Sequence, residues 1–355
     1  MSVKREFVGE TQKGQAVYLF HITNKNDMEV TVLNYGINIQ NVFVKDSDGN
    51  RCDVVLGFDD FEGYTDNKPT LGSTIGPSAN RVEGGKYTIA GKEYHLPLNE
   101  NGVNNLHTDG DNGFHKTVWD SEEGDNLVRF TYKAADGELG FPGNRTFTVE
   151  VSLSDDNELK LHYHADSDAD TLINITNHTY FNLGGSGSGK VLGHVLQLNS
   201  HYFTPVKDKN SIPSGEKRAV KGTPLDFTTP KTIGQDIASD YEQIALANGY
   251  DHNFIIDGAV DEDGNVDGGM HEFAIVTNPA TGITMHASTN LPGFQFYSAN
   301  FLKDIVGKDG YEYSQYDGFC LETQTYPNSI NTPSFPSPVY GPDRPYDAVT
   351  VYKFN

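Results

Sequence analysis

Cysteine and long apolar runs are scarce in this sequence of 355 residues. Its two cysteines, Cys52 and Cys320, are too few for a disulfide framework and are typical of a reducing compartment. No segment approaches the ~18 apolar residues that a membrane-spanning helix needs. The first residues (MSVKREF) run into a polar stretch and lack the apolar segment of a secretory signal. We therefore expect a cytoplasmic protein with no membrane partner.

Basic residues are also few. The chain has 26 Lys and Arg against 49 Asp and Glu, which gives a formal net charge of −23. Because such a chain has little basic surface to neutralise phosphates, we expect no nucleic-acid partner. The same charge disfavours strongly anionic substrates, whereas a neutral small molecule is compatible with it.

Residues typical of strands and turns are abundant. The chain has 37 Gly, 16 Pro and 11% aromatic residues, a composition that favours strands joined by turns over long helices. Apolar and polar residues alternate with period two, which predicts strands at residues 15–22, 28–34, 36–44, 86–89, 92–96, 145–153, 158–164, 271–277, 282–288 and 347–354. One helix is predicted after the capping-box sequence SDYE at residues 239–242, with Gly249 as its stop. These patterns predict an antiparallel all-β protein, and length alone allows either one large body or two packed domains.

Two loops imitate ligand-binding motifs, but each lacks a residue that the ligand needs. Residues 184–190 (GGSGSGK) have the spacing of a phosphate loop, yet Val191 stands where Mg²⁺ coordination needs a hydroxyl. Residues 261–272 imitate a calcium loop, yet Val266 occupies the position of the turn glycine. We therefore expect no nucleotide site, and an acidic surface hairpin whose cation binding stays open.

Two further candidates have simpler explanations. His162 and His164 share one face of a predicted strand, but no third ligand has a spacing typical of metal sites. We expect them to be packed or hydrogen-bonded. Cys320 has no cationic neighbour in the sequence, so we expect a buried small apolar residue rather than a nucleophile.

Six polar segments fit neither a core strand nor an ordinary loop. They are residues 77–82, 104–107, 173–183, 249–254, 292–297 and 319–324. Within residues 173–183, alternation places Asn174, Thr176, His178 and Tyr180 on one face, which must meet water or line a cleft.

Three charged or titratable side chains in these segments allow either a structural or a functional interpretation. Taken alone, Arg81 favours a surface ion pair and His178 a structural role. Glu322 lies among apolar neighbours, and desolvation raises the proton affinity of a carboxylate, which suits a general base.

Taken together and in order, the segments closely resemble the aldose 1-epimerase (galactose mutarotase) family, from about Asn34 to the C-terminus. The residues that carry the resemblance are Asn80-Arg81, Leu106-His107, residues 177–185 (NHTYFNLGG), Tyr250-Asp251-His252, residues 292–295 (PGFQ) and residues 321–324 (LETQ). The resemblance departs at Thr108-Asp109, where the family often has two glycines, which puts the shape of this loop in question.

The resemblance implies a fold and a set of site residues. The fold would be a large antiparallel β-sandwich of the galactose mutarotase-like supersandwich type with few short helices, formed by a single domain over residues 1–355. The general acid would be His178 and the general base Glu322. The other sugar contacts would be Asn80, Arg81, His107, Asp251 and Gln295.

The implied reaction interconverts the α and β anomers of free hexoses such as galactose and glucose. The hemiacetal opens, the C1–C2 bond rotates, and the ring closes on the other face. We expect no metal or organic cofactor because only protons move, and a free aldohexose is the expected partner of a monomer or homodimer. Glu322 should start ionised and His178 charged, or the two should share one proton. The alternatives are a hexose-6-phosphate 1-epimerase and a non-catalytic carbohydrate-binding module.

Overall fold

Strands make up most of the structure, a computed structural model that describes residues 2–261 and 264–355. In chain order the strands are β1 (Ser2–Glu10), β2 (Ala16–Thr23), β3 (Glu29–Leu33), β4 (Ile39–Lys45), β5 (Arg51–Asp53), β6 (Thr74–Ile75), β7 (Arg81–Val82), β8 (Lys86–Ile89), β9 (Lys92–His95), β10 (Asn105–Leu106), β11 (Asp120–Glu123), β12 (Leu127–Ala134), β13 (Arg145–Leu153), β14 (Glu158–Ser167), β15 (Thr171–Leu172), β16 (Thr176–Asn177), β17 (Val195–Leu198), β18 (Tyr202–Thr204), β19 (Arg218–Ala219), β20 (Lys231–Thr232), β21 (Asp251–Ile255), β22 (His271–Thr277), β23 (Thr284–Thr289), β24 (Gly293–Tyr297), β25 (Ile305–Val306), β26 (Glu312–Tyr313), β27 (Cys320–Gln324), β28 (Val339–Tyr340) and β29 (Tyr346–Phe354).

Helices are short in the described part of the chain. The two α-helices are α1 (Phe61–Thr65) and α2 (Glu242–Ala247), and short 3₁₀ turns connect several strands. Neither α-helix has the length and hydropathy that crossing a bilayer requires.

The predicted strands are present, with small shifts at their ends. Residues 145–153 form β13, whose residues alternate strictly between buried and half-buried positions. The hairpin predicted around residues 90–91 joins β8 to β9. The predicted strand 36–44 begins later, at Ile39. Gly36 has a φ of +66°, and a Cβ there would lie 2.5 Å from the carbonyl oxygen of His115, so the chain turns at this glycine before the strand starts.

The start of the predicted helix near residue 239 is wrong. Helix α2 begins at Glu242, and the preceding Tyr241 makes no side-chain cap. The Ser239 hydroxyl instead accepts a bond from the Tyr241 backbone N–H at 3.2 Å. Such local turns compete with capping. The helix ends at Asn248, which adopts the left-handed conformation (φ 55°) expected of a C-terminal cap, one residue before the predicted stop.

Three large antiparallel sheets enclose the main core. One sheet has nine strands in the order β11-β12-β13-β14-β29-β23-β22-β17-β20, and two sheets have five strands each, β1-β2-β3-β4-β5 and β19-β18-β21-β24-β27. The nine-stranded sheet packs on both others: the Phe20 and Phe130 rings are 5.7 Å apart, and the Phe273 and Phe294 rings are 4.4 Å apart. The predicted large antiparallel sandwich is therefore confirmed.

Several features singled out in the sequence have structural roles. His162 and His164 both contact Asp347, at 3.2 and 3.4 Å, so the expectation of hydrogen-bonded histidines is confirmed. Lys190, at the end of the glycine-rich loop, donates to the Gln315 carbonyl at 3.1 Å. The calcium-like stretch includes Glu262 and Asp263, which lie outside the described residues.

Two buried histidines act as hydrogen-bond acceptors and therefore carry no second proton. The backbone N–H of Leu183 donates to Nε2 of His194 at 2.9 Å, and that of Asp251 donates to Nδ1 of His252 at 3.2 Å. Burial lowers the pKa of each ring to about 4. Protonation would break these bonds and place a charge in the interior.

This arrangement predicts that the free energy of unfolding falls as the pH drops from about 6.5 toward 4. The unfolded chain takes up protons on these rings near pH 6.5, whereas the folded chain does so only near pH 4. Each ring therefore contributes a loss of up to ~3 kcal/mol across that window, and none above it.

Urea unfolding at pH 7 and at pH 5 measures this loss. His194→Gln, whose amide oxygen can still accept from Leu183, should lose less stability between the two pH values than the unchanged protein. The matched control His95→Gln alters an exposed ring and should lose the same as the unchanged protein. An equal loss in all three proteins would contradict the assignment to His194.

Candidate active site

A cleft of about 390 Å³ lies against the five-stranded sheet that contains β21, β24 and β27. Most of its walls come from segments far apart in the sequence. The lining residues are Lys68, Pro69, Thr70, Asn80, Arg81, Leu106, His107, His178, Tyr180, Asp251, Tyr297, Phe301, Leu302, Lys303, Ile305 and Glu322. The volume falls in the range of small-molecule sites.

The register of the sheet sets the polar floor of this cleft. Gln295 of β24 is paired with Glu322 of β27, and Tyr297 is paired with Asp251 on one side and Cys320 on the other. Since side chains alternate along a strand, these residues share one face. The residues between them belong to the opposite, core-facing set, which includes Phe254, Phe294, Phe296 and Leu321.

Glu322 is the most enclosed carboxylate of the cleft. Its side chain is 3% exposed, and its Oε2 has no hydrogen-bond partner among the described residues. Burial raises the pKa of Glu322 well above its usual range, the negative charge of Asp251 adds to this, and Arg81 opposes it. A buried acceptor without a partner is costly, so this oxygen is poised for a polar ligand.

His178 faces Glu322 across the cleft. The Nε2 of His178 lies 3.6 Å from the Oε2 of Glu322. The backbone of His178 is fixed because its N–H donates to the Ser73 carbonyl at 2.8 Å and its carbonyl accepts from Gly72 at 3.1 Å. Burial lowers the pKa of the ring to about 4.

The predicted polar row in residues 173–183 divides in the structure. His178 and Tyr180 both line the cleft, and their rings stack with centroids 5.0 Å apart. Asn174 lies elsewhere: its side chain bonds the backbone of Thr325, donating to the carbonyl at 3.2 Å and accepting from the N–H at 2.9 Å. The segment forms a strand only at β16, so simple alternation does not describe its whole length.

Arg81 is not the surface ion pair that the residue alone suggests. It lines the cleft, and its side chain is 13% exposed. Its guanidinium donates in bidentate fashion to Glu100, with Nε 3.0 Å and Nη2 2.7 Å from the carboxylate. Burial opposes the charge, but Asp251, Glu100 and Glu322 together raise the pKa of Arg81.

Asn80 and His107 are joined by two hydrogen bonds, one to the His107 ring and one between their backbones. The N–H of Asn80 donates to Nδ1 of His107 at 3.1 Å, and the N–H of His107 donates to the Asn80 carbonyl at 3.0 Å. Both residues have left-handed backbones, with φ of 58° and 56°, a strain that concentrates at functional sites. Burial lowers the pKa of His107 well below its usual range, and the neighbouring His178 and Arg81 also disfavour its charged form.

The Thr108-Asp109 departure is accommodated without glycine. Thr108 adopts a φ of 71°, which costs more for a β-branched residue than for glycine. Its hydroxyl compensates, because it accepts from the Ser78 N–H at 2.9 Å and donates to the Ser78 carbonyl at 3.0 Å. The Asp109 carboxylate accepts from two following N–H groups, at 2.8 and 2.9 Å.

Asp251 and Gln295 share a face of the sheet but differ in their access to the cleft. Asp251 lines the cleft, whereas Gln295 is absent from the lining residues. The Gln295 amide donates to Oδ1 of Asp251 at 2.6 Å and accepts from Gln324 at 3.1 Å. Gln295 therefore orients a carboxylate that faces the cleft.

Several residues that line the cleft or support its walls have no counterpart among the predicted site residues. Glu100 pairs with Arg81 from 19 positions away, and no sequence spacing signals that contact. Tyr297 was within reach of prediction, because it shares a strand face with Gln295. Phe301, Lys303 and Ile305 follow the end of β24, where alternation no longer predicts orientation.

His107, His178 and Glu322 each place one potential ligand atom within 4.8 Å of the others. Zinc bonds of about 2.0–2.2 Å hold tetrahedral ligand atoms roughly 3.4 Å apart. The Nε2 of His178 and the Oε2 of Glu322 are 3.6 Å apart, which is close to that spacing, but the cationic Arg81 lies on the same cleft wall. A positive charge in the cleft disfavours a second cation and is compatible with the hydroxyl groups of a neutral ligand.

Comparison with known proteins gives a consistent result. The family model described as "Aldose 1-epimerase" matches residues 18–353. Galactose mutarotase of Bos taurus is 36% identical over 356 residues, covering 100% of this chain and 99% of that protein. Aldose 1-epimerase of Escherichia coli is 34% identical over 344 residues, covering 96% of each. The structure of the aldose epimerase homologue from C. elegans superposes with a TM-score of 0.85 and 27% identity, covering 95% of this chain and 98% of that one.

The buried Arg81–Glu100 pair generates a prediction about stability. Arg81→Ala should lower the free energy of unfolding by about 3 kcal/mol, because it leaves the Glu100 carboxylate, 17% exposed, without its partner. Urea unfolding of Arg81→Ala, Glu100→Gln and the double variant measures the coupling between the two. We expect at least ~1 kcal/mol of coupling. Strictly additive losses would show that the two side chains do not stabilise each other.

Proposed function

The chain belongs to the aldose 1-epimerase family, and we propose that it is a mutarotase that interconverts the α and β anomers of free aldohexoses such as galactose and glucose. One observation carries the proposal: a histidine and a carboxylate, 3.6 Å apart, face the same cleft. The full-length similarity to galactose mutarotase and aldose 1-epimerase supports it.

The proposed reaction needs one proton taken from the sugar and one given to it. Glu322 removes the proton of the C1 hydroxyl while His178 protonates the ring oxygen, and the C1–O5 bond breaks to give the aldehyde. After rotation about C1–C2, Glu322 returns its proton to O1 and His178 recovers the proton from O5 as the bond re-forms. Each positioned acid or base accelerates such a step by about 10²–10⁴-fold.

The pair enters this cycle with one proton between its two members. Burial raises the pKa of Glu322 and lowers that of His178, so the empty cleft favours a protonated carboxyl beside a neutral imidazole. Of the two starting states expected from the chemistry, these pKa directions favour the shared proton over separate charges. This protonation state is the one that ring closure requires, because in that step Glu322 donates a proton and His178 accepts one.

The remaining cleft residues suit the hydroxyl groups of a neutral sugar. Arg81 and the ring of His107 offer groups on one wall, and Asp251, held by Gln295, offers an acceptor on the floor. Asn80 belongs to the same wall. Because Arg81 is already paired with Glu100, little positive charge is left for a sugar phosphate.

Among the described residues, two exposed lysines at the edge of the cleft favour the phosphorylated alternative. Lys68 and Lys303 line the cleft, and each lies near an aspartate, at 3.8 and 3.7 Å. Ion pairs this exposed are weak and are screened by salt. We therefore favour free hexoses, and the experiment below separates the two classes.

The whole chain is proposed to form one domain, a monomer or homodimer, in the cytoplasm. The cleft draws its lining from Lys68 to Glu322, and the family model spans most of the chain, which supports one domain over residues 1–355. Cys52 and Cys320 are both free thiols, in keeping with a reducing compartment.

Polarimetry on freshly dissolved α-galactose and α-glucose tests the proposal directly. The purified protein should speed the approach to the equilibrium rotation for both sugars, in proportion to its concentration. Glucose 6-phosphate, measured in parallel, should show a much smaller acceleration. Curves that coincide with and without protein for the free sugars would overturn the proposal.

Glu322→Gln should lower kcat by at least about 10²-fold with the fold intact, because an amide fills the same space but cannot take a proton. His178→Asn should show a similar loss. Glu312→Gln, the same change at an exposed carboxylate, is the matched control and should retain full turnover. Unchanged turnover in Glu322→Gln would remove Glu322 from the chemistry.

The pH dependence of kcat/KM reports the protonation of the acid and the base in the empty cleft. It should be bell-shaped, because the pair is active only when it holds one proton. On the acid side, activity should fall near pH 4, where His178, with its lowered pKa of about 4, adds a second proton to the pair. On the alkaline side it should fall where Glu322, with its raised pKa, loses the shared proton. An acid limb near pH 6.5 would show that His178 titrates as an ordinary exposed imidazole.

A further inference from the structure

His178 has a second buried partner that the proposed reaction does not use. The Sγ of Cys320 lies 3.5 Å from Nδ1 of His178, and Cys320 is fully buried. Cys320 and Glu322 are separated by one residue on β27, so their side chains lie on the same face of the strand. One strand therefore contacts both nitrogens of the imidazole, with a thiol at Nδ1 and a carboxyl at Nε2.

A thiol at this place can accept the Nδ1 proton without carrying a charge. It is a weak donor and a weak acceptor, so it can bond Nδ1 both when this nitrogen has a lone pair and when it carries a proton. Burial, with the charge of Glu322, raises the pKa of the Cys320 thiol well above its usual range. The sulfur therefore keeps its proton and adds no second negative charge beside Glu322.

We propose that Cys320 is a positioning residue for the reaction proposed above: its sulfur accepts the Nδ1 proton of His178 in both the neutral ring and the imidazolium. The neutral ring therefore keeps its proton on Nδ1 and a lone pair on Nε2, where it takes up the proton of O5. In both states Nε2 is the nitrogen that faces Glu322 and the sugar. The inference rests on the proposed function for its purpose, but the tautomer itself is a property of the resting protein.

The other groups around His178 do not supply this bond. Tyr180 stacks on the ring, and His107 and Tyr297 meet it edge-on with centroids 5.4 and 6.2 Å away. The pKa values of both tyrosines are raised by burial, so they stay neutral.

The remaining titratable and charged groups near His178 are also accounted for. Burial lowers the pKa of His115 to about 4 and that of His107 well below its usual range, so both rings are neutral at pH 7. Arg81 and Asp251 face His178 from the other cleft walls, and Arg81 remains charged. At Nδ1, the described contact is the one with Cys320.

Three variants separate positioning from packing. Cys320→Ser keeps a donor and acceptor at Nδ1, Cys320→Ala removes it, and Cys52→Ala is the control at the other free thiol, on β5 away from the cleft lining. We expect kcat to fall about 5–10-fold in Cys320→Ala with KM changed less than about 2-fold. The acid limb of the pH profile should move to lower pH, because the imidazolium loses an acceptor. Cys320→Ser should restore kcat to within about 3-fold and return the limb, and Cys52→Ala should match the unchanged protein.

Nitrogen NMR of the protein labelled at histidine gives a readout that does not depend on turnover. The resting protein should show His178, identified by its loss in His178→Asn, with the proton on Nδ1, and Cys320→Ala should show a mixture of tautomers. A proton found on Nε2 in the unchanged protein, or a pH profile of Cys320→Ala that superposes on the original, would overturn the proposal. If no sugar is turned over, the proposed function fails, and the tautomer measurement still decides the contact between Cys320 and His178.

Discussion

The contact between His178 and Glu322 is the interaction on which the rest of the site depends. The two side chains come from segments 144 positions apart, and each reaches the contact by a different route: Glu322 through the register of β27 against β24, and His178 through backbone bonds to Gly72 and Ser73. Burial raises the pKa of Glu322 and lowers that of His178, so the proton of the pair rests on the carboxyl. In the proposed reaction this carboxyl and imidazole act as acid and base in turn.

The charged side chains of the cleft are also paired or held by polar neighbours. The protein as a whole is strongly acidic, yet the cleft contains Arg81, which Glu100 neutralises through a bidentate bond. Asp251 is oriented by an amide rather than by a cation. The result is a polar surface with paired charges, in which hydroxyl groups find donors and acceptors without the strong field that an ionic ligand requires.

Much of the architecture could be read from the sequence, because period-two alternation is a local property of strands such as β13 and β14. The order of the motifs along the chain, through its resemblance to a family, identified His178 and Glu322 as the proposed acid and base, although neither residue is distinctive alone. Long-range contacts could not be predicted. No sequence pattern near Arg81 indicates its contact with Glu100, and none near His178 indicates its contact with the sulfur of Cys320. Two local rules also misled. Ser239 satisfied its hydroxyl in a turn rather than capping α2, and Asn174 left the expected polar row because its segment is a regular strand only at β16.

The strand order of the nine-stranded sheet has a consequence for how the protein is made. The strand formed by Tyr346–Phe354 lies in the interior of that sheet and joins the group β11–β14 to the group that begins with β23. It also supports the strand that holds Glu322, since Tyr352 donates to the Leu321 carbonyl at 2.8 Å and the Thr350 and Thr323 hydroxyls are 2.6 Å apart. During translation the two groups emerge from the ribosome before the strand that unites them, so the floor of the cleft is supported from behind only once residue 354 has left the exit tunnel.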